Sequence, residues 1–437
     1  MISSKVAKMK NLKIFLFLIL IFCSSLLYSQ SDLKSKIESL EGILSVENIE
    51  PDSGYFEAFK IFIEQPLDHN NPIGKKFKQK FYLSHRDESL PLVIELDGYN
   101  IDSNRTNELA TILQCNKIVV EHRYFGESAP DCLDWQYLTI QQAAEDHHII
   151  IEIMKNIYKN KWITTGISKG GQTTYIHKYF FPNDADASVC YVAPLNLTQE
   201  DPRIYHFLDN VGTAECRIKM VKFQREVLKR ANELIPIFRQ ESKKLGYTYS
   251  LGNDRFIFEY IVLEYGFAFW QWQNTNCEEI PDTNASNEVL LEHLKKGSSF
   301  DYFSDKDIKT ILPFFYQAYS QMGYYGYDIS DFKDLLKEVK EPRSRIFLAD
   351  NMNQVFDCCT MQNINAWLQK HGNNMIFIYG GNDTWSATAI ELTGETNALK
   401  MVKPGGNHRT RINSFDKKER DKIINSLETW LDYKIPD

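Results

Sequence analysis

The chain has 437 residues, a formal charge of −8, and 43% hydrophobic against 25% charged residues. Its 21 glycines and 14 prolines are too few for a collagen-like or low-complexity chain, and its acidity argues against a duplex nucleic-acid footprint. Length alone suggests two or three domains around a sizeable core, with aromatics at 13% to fill it.

Residues 1–30 read as an export signal. Lys5, Lys8, Lys10 and Lys13 form a basic start, and residues 14–23 are an unbroken apolar run. That run is too short for a bilayer span and fits a signal-peptide core, with cleavage expected near Ser29 or Gln30. An uncleaved N-terminal anchor is the alternative. Cleavage removes four lysines and takes the charge from −8 to −12. The expected location is therefore periplasm, cell surface or medium, with no stable membrane insertion after cleavage. Seven cysteines remain for an oxidising compartment, in no zinc-like spacing. Cys115 with Cys132 and Cys216 with Cys277 are the short-range pairs the spacing suggests.

Residues 55–63 and 77–83 read as two strands of a hairpin around the turn-rich stretch from Gln65 to Pro72. Residues 92–96 form a short buried strand ending at Asp97-Gly98-Tyr99-Asn100. Residues 117–121 form another, running into Glu121-His122-Arg123-Tyr124-Phe125-Gly126. A helix is expected over 139–158, where Ala143, Ala144, Ile149, Ile150 and Met154 recur at helical spacing. Asp146, His147 and His148 on it resemble metal ligands, but adjacent helix positions face apart, so structural roles are expected. A strand at 162–165 meets Gly166-Ile167-Ser168-Lys169-Gly170. From about 200 to 340 the chain becomes helical, as over 219–242 and 256–272. Strands return at 375–379 and 399–402, and a helix closes the chain over 417–433. The expected architecture is an α/β core with a mostly parallel sheet, interrupted by a helical insertion. Its parts are a signal peptide at 1–30, core at 31–199, cap at 200–343 and core at 344–437.

Gly166-Ile167-Ser168-Lys169-Gly170 matches the nucleophile elbow in its required strand-turn-helix setting. The chain order of that fold then asks for an acid and a histidine after later strands. Asp383 follows the strand at 375–379, and His408 follows the strand at 399–402. The expected triad is Ser168 as nucleophile, His408 as general base and Asp383 as the group that orients it. The expected oxyanion donors are the backbone N–H of Lys169 and that of Tyr99, preferred to Gly98. The Lys169 side chain has the plain alternative of a solvated cation. This machinery implies no metal and no organic cofactor.

Four motifs together carry a family resemblance: Gln65 to Pro72, Glu121 to Ser128, Gly166 to Gly171, and Gly380 to Ser386. They resemble secreted serine exopeptidases such as the prolyl carboxypeptidases and dipeptidyl-peptidases. The chain is more similar to the PS-type tripeptidyl aminopeptidases of bacteria, by Ser168-Lys169-Gly170-Gly171, by Asp134 to Thr139, and by Phe267 to Gln271. Thr384 departs from the proline often found after the acid. The resemblance implies a serine peptidase of the α/β-hydrolase fold, its mostly parallel sheet interrupted by a helical cap insertion, with peptide substrates and release of tripeptides from free N-termini. A prolyl dipeptidyl-peptidase or carboxypeptidase, a lipase or esterase, and a non-catalytic binding protein are the alternatives. Recognising a free amine requires a carboxylate. Glu121, Glu259 and Glu264 are the candidates, and the sequence does not choose among them. The aromatic run Phe267, Phe269, Trp270 and Trp272 is expected mainly to pack the cap.

Overall fold

The computed structural model describes residues 33–349, 352 and 355–436, so the expected signal segment at 1–30 lies outside the described residues. The strands are β1 (Ile43–Ile49), β2 (Glu57–Pro66), β3 (Lys76–His85), β4 (Leu92–Leu96), β5 (Asn116–Val120), β6 (Trp162–Ile167), β7 (Ala187–Tyr191), β8 (Met375–Gly380) and β9 (Leu399–Lys403). They form a single sheet in the order β1-β2-β3-β5-β4-β6-β7-β8-β9. The pairs from β1 to β5 are antiparallel, and every pair from β5 onward across the sheet is parallel. β4, β5, β7 and β8 are buried at every position, as expected where helices cover both faces of a parallel sheet.

The chain leaves β4 toward β5 on one side and reaches β6 on the other. The carboxyl ends of β4 and β6 therefore flank a topological switch point, where open α/β sheets bind ligands. The Asp97-Gly98-Tyr99 turn follows β4, and Ser168 follows β6. Strand order alone brings them together.

After a helical stretch at residues 33–38, the α-helices among the described residues are α1 (Glu108–Leu113), α2 (Ile140–Met154), α3 (Lys169–Phe180), α4 (Arg203–Leu208), α5 (Ala214–Lys229), α6 (Ala231–Leu245), α7 (Asp254–Trp272), α8 (Asn287–Ser298), α9 (Asp305–Gln317), α10 (Thr360–His371) and α11 (Lys417–Leu431). α4 to α9 form the insertion between β7 and β8. The helix expected over 219–242 is two helices, α5 and α6, which meet at Arg230. α7 is apolar on nearly all sides and buried from Ile257 to Tyr265 without a break, as a helix at the centre of a helical layer must be. Two glutamates, Glu259 and Glu264, are buried in it.

The Glu121 to Gly126 motif is largely structural. Arg123 is fully buried and bonds the equally buried Asp146 of α2 through Nε at 2.7 Å and Nη2 at 2.8 Å. It also donates to the carbonyls of Pro66, Leu67 and Tyr137, and His69 bonds Asp146 at 2.7 Å. One guanidinium thus ties the β2–β3 turn to α2. Arg123→Leu leaves Asp146 buried without its cation, at a cost of about 3–5 kcal/mol. Urea unfolding measures this, and a loss under about 1 kcal/mol contradicts it.

Cys216 and Cys277 form a disulfide that joins α5 to the loop after α7. The other suggested pair does not form. Cys115 is buried where the chain enters β5, whereas Cys132 is exposed on the loop beyond that strand's other end, and both are free.

Candidate active site

The turn after β6 is tight and strained. Ser168 has φ 58° and ψ −120°, a left-handed conformation rare for a residue with a side chain. A Cβ at Gly166 would lie 2.2 Å from the Gly170 carbonyl oxygen, and one at Gly170 would lie 2.8 Å from that of Leu96. Only glycine fits at either place. The Ser168 N–H donates to the Tyr191 carbonyl at 2.8 Å, which anchors the turn on β7. Ser168 is half-buried at the floor of a cavity of about 610 Å³.

His408 lines the same cavity and is bonded through Nδ1 to Asp383 Oδ2 at 2.7 Å. The other carboxylate oxygen of Asp383 accepts the Trp385 N–H at 3.1 Å, so both oxygens are oriented. Both loops are also held by α7. The His408 N–H donates to the Gln271 carbonyl at 2.9 Å, and the Thr384 hydroxyl donates to the Phe267 carbonyl at 2.9 Å. Phe267, Phe269 and Trp270 are buried packing residues, as expected. Trp272 is different: it is 37% exposed, lines the cavity, and sets its ring edge-on to His408 at 5.2 Å.

Lys169 and Tyr99 also line the cavity. The Lys169 side chain is not solvated. It is 1% exposed, donates to the Gly98 carbonyl at 2.7 Å, and burial pushes its pKa down to about 7. Tyr99 reaches the site, but its N–H donates to Asp97 Oδ1 at 2.9 Å. In this state that donor is already engaged.

The three candidate carboxylates separate clearly. Glu121 accepts from the Ile101 and Ser128 backbones and pairs with Lys80 at 2.9 Å, outside the cavity. Glu259 accepts the N–H groups of Lys337, Glu338 and Val339 and the Arg255 guanidinium. Glu264 faces the cavity. It is bonded only to phenols there, Tyr325 at 2.9 Å and Tyr327 at 2.8 Å, and burial pushes its pKa up to about 8. Around it Tyr325 stacks on Phe267 at 3.8 Å, and Trp385 packs against both rings. The sequence reading missed this aromatic cage, although the Tyr324-Tyr325-Gly326-Tyr327 run was a visible signal.

A half-buried serine on a strained elbow and a histidine-aspartate pair on later loops of an α/β-hydrolase sheet define a serine hydrolase. The model of the PS-10 peptidase S37 family matches residues 28–432, so the chain belongs to that family and is a serine peptidase. It is 32% identical over 416 residues, covering 93% of this chain and 86% of the other, to a prolyl tri/tetrapeptidyl aminopeptidase from Streptomyces mobaraensis. A probable serine protease, EDA2, from Arabidopsis thaliana is 23% identical over 196 residues, 40% of each chain. Among solved structures, a proline iminopeptidase from Mycobacterium smegmatis is similar at 11% identity, covering 85% of this chain and 98% of that one, with a TM-score of 0.43.

Proposed function

We propose that the protein is an exported serine exopeptidase that releases tripeptides, and by analogy with the Streptomyces relative cuts after proline, from free peptide N-termini. The single observation that carries this is the placement of Glu264 in the same cavity as Ser168 and His408. Ser168 attacks the scissile carbonyl, His408 takes its proton and later gives it to the leaving amine, and Asp383 fixes the tautomer and stabilises the imidazolium. Water then gives a proton to His408 and attacks the acyl carbon, and the acyl–serine bond breaks as Ser168 Oγ takes the proton back from the imidazolium. The Lys169 N–H is one oxyanion donor and the Tyr99 N–H the second, once the substrate oxygen displaces Asp97. Residues 200–343 act as a cap that restricts entry to chain ends. Glu264, held by the Tyr325 and Tyr327 hydroxyls, receives the substrate ammonium by charge.

The apolar run at residues 14–23 and its basic flank support export, and the Cys216–Cys277 disulfide fits an oxidising compartment. Among the described residues no helix is long and apolar enough to cross a membrane.

The test is a fluorophosphonate label on Ser168 followed by a panel of free and N-acetylated proline-containing peptides read by mass spectrometry. Tripeptide release from free peptides, with blocked peptides cleaved at least about 10²-fold less efficiently, is the expected result. Equal cleavage of both, or efficient internal cuts in denatured casein, leaves a general serine hydrolase instead.

A further inference from the structure

Lys169 directs its side chain not at solvent but at the peptide that follows β4. Its ammonium donates to the Gly98 carbonyl at 2.7 Å and lies over the Tyr99 ring at 5.7 Å and the Phe125 ring at 5.3 Å. At the opposite edge of the same peptide plane, the Tyr99 N–H donates to Asp97 Oδ1 at 2.9 Å. Asp97 is held in turn by the Arg105 guanidinium. A trans peptide presents its C=O and N–H on opposite edges, so this plane is fixed at one edge by a cation and at the other by an anion. Gly98 permits the approach: a Cβ there would lie 2.6 Å from Lys169 Cβ and 2.8 Å from the Gly170 nitrogen. Any side chain at position 98 drives the elbow and this peptide apart.

We propose that Lys169 is a positioning residue for acyl transfer: its ammonium pins the Gly98 carbonyl, so that the Gly98–Tyr99 peptide keeps its orientation beside Ser168 while its N–H passes from Asp97 to the oxyanion. The proposal rests on the reading of Ser168 as nucleophile. The exchange at the N–H edge is feasible because a tetrahedral oxyanion is itself an anionic acceptor, and Asp97 keeps Arg105 when it lets go. The carbonyl edge has no such exchange. If that edge were loose, the peptide would be free to rotate and present its carbonyl to the oxyanion, turning a donor into a repulsion. Lys169 thus serves the oxyanion twice, by its own N–H and by holding the peptide that bears the second one.

Lys169→Met keeps most of the side-chain length and removes the donor. Lys169 bonds a carbonyl rather than a carboxylate, so Lys169→Met strands no buried charge, and folding is expected to survive. Lys169→Gln restores an N–H donor on a shorter arm. Four quantities are read on each variant: kcat, KM, the affinity of a peptidyl trifluoromethyl ketone, which adds to the serine as an oxyanion, and the affinity of the tripeptide product. The expected result for Lys169→Met is a fall in kcat of about 10²-fold with KM changed by less than about threefold. Ketone affinity falls in parallel while product affinity holds, and Lys169→Gln regains part of both losses. Equal losses for ketone and product, or no loss for either, overturns the proposal. Should Lys169→Met fail to fold, the same comparison is made on Lys169→Gln, where a selective loss of ketone binding supports the clamp and an equal loss overturns it. Failure of the wild-type enzyme to form the ketone adduct or to take the fluorophosphonate label removes Ser168 as nucleophile, a distinct outcome.

Discussion

Replacing Ser168 with alanine lowers kcat by about 10⁴-fold or more while the protein stays folded. The hydroxyl sits at the end of a turn fixed by backbone contacts of Gly166, Gly170 and Tyr191, none of which uses the serine oxygen. Its removal therefore costs chemistry and little stability. His408→Ala has an effect of similar size, and the double variant is no worse than the poorer single one, because nucleophile and base act as a unit. Asp383→Asn, with the His408 tautomer no longer fixed, loses roughly 10⁴-fold. Active-site titration with a fluorophosphonate alongside steady-state turnover checks all three. Turnover by Ser168→Ala within tenfold of wild type overturns the assignment.

Glu264→Gln lowers kcat/KM on free-amine peptides by about 10²-fold or more and leaves N-acetylated peptides unchanged. The two variants differ by one charge in a slot lined by the Tyr325 and Tyr327 hydroxyls, which can donate to either side chain. The pH dependence follows. In the free enzyme burial holds Glu264 largely protonated until about pH 8, so the anionic form that pairs with an ammonium grows toward that value. The peptide amine loses its own proton at about 8, so kcat/KM on free peptides passes through a maximum there. Blocked peptides lack this maximum. The stability effect has the opposite sign. Because the folded pKa lies above the ordinary 4.5, the carboxyl's contribution is full below about pH 4.5 and is lost as pH rises through about 8. Glu264→Gln, which does not ionise, is thus expected to be as stable as wild type or more so at pH 8–9 by thermal unfolding. Loss of stability and of activity on both peptide classes would show Glu264 to be a structural residue instead.

The central strands were legible because their signal is simple. A parallel strand buried on both faces is a short unbroken apolar run, and residues 92–96 stood out for that reason. β1 was invisible by the same logic: only Val46 of its seven residues is buried, since it is an edge strand paired on one side. Ser168, Asp383 and His408 could be nominated because each stands at a strand end marked by glycines. Glu264 could be nominated but not chosen, since Glu121 and Glu259 sit in equally plausible sequence. What separates them is which partners the fold brings: backbone N–H groups for Glu259, a lysine for Glu121, and only phenols on an open cavity for Glu264. A solvated cation stayed open as an alternative for the Lys169 side chain because helix position alone does not reveal that Gly98 makes room for it. Pairing Cys115 with Cys132 by spacing ignored that strand β5 runs between them.

The contacts between α7 and the loops of His408 and Asp383 also define what can be exchanged between relatives. His408 and the loop of Asp383 lean on main-chain carbonyls between Phe267 and Trp272, contacts that any sequence on α7 can supply but only this backbone path can place. A chimera that imports another enzyme's insertion with crossovers at its outer ends keeps the triad's residues and loses the surface on which two of their loops rest. The unit of inheritance is α7 together with residues 380–411. Recombination points that spare that block are the ones from which active hybrids with new substrate preferences emerge.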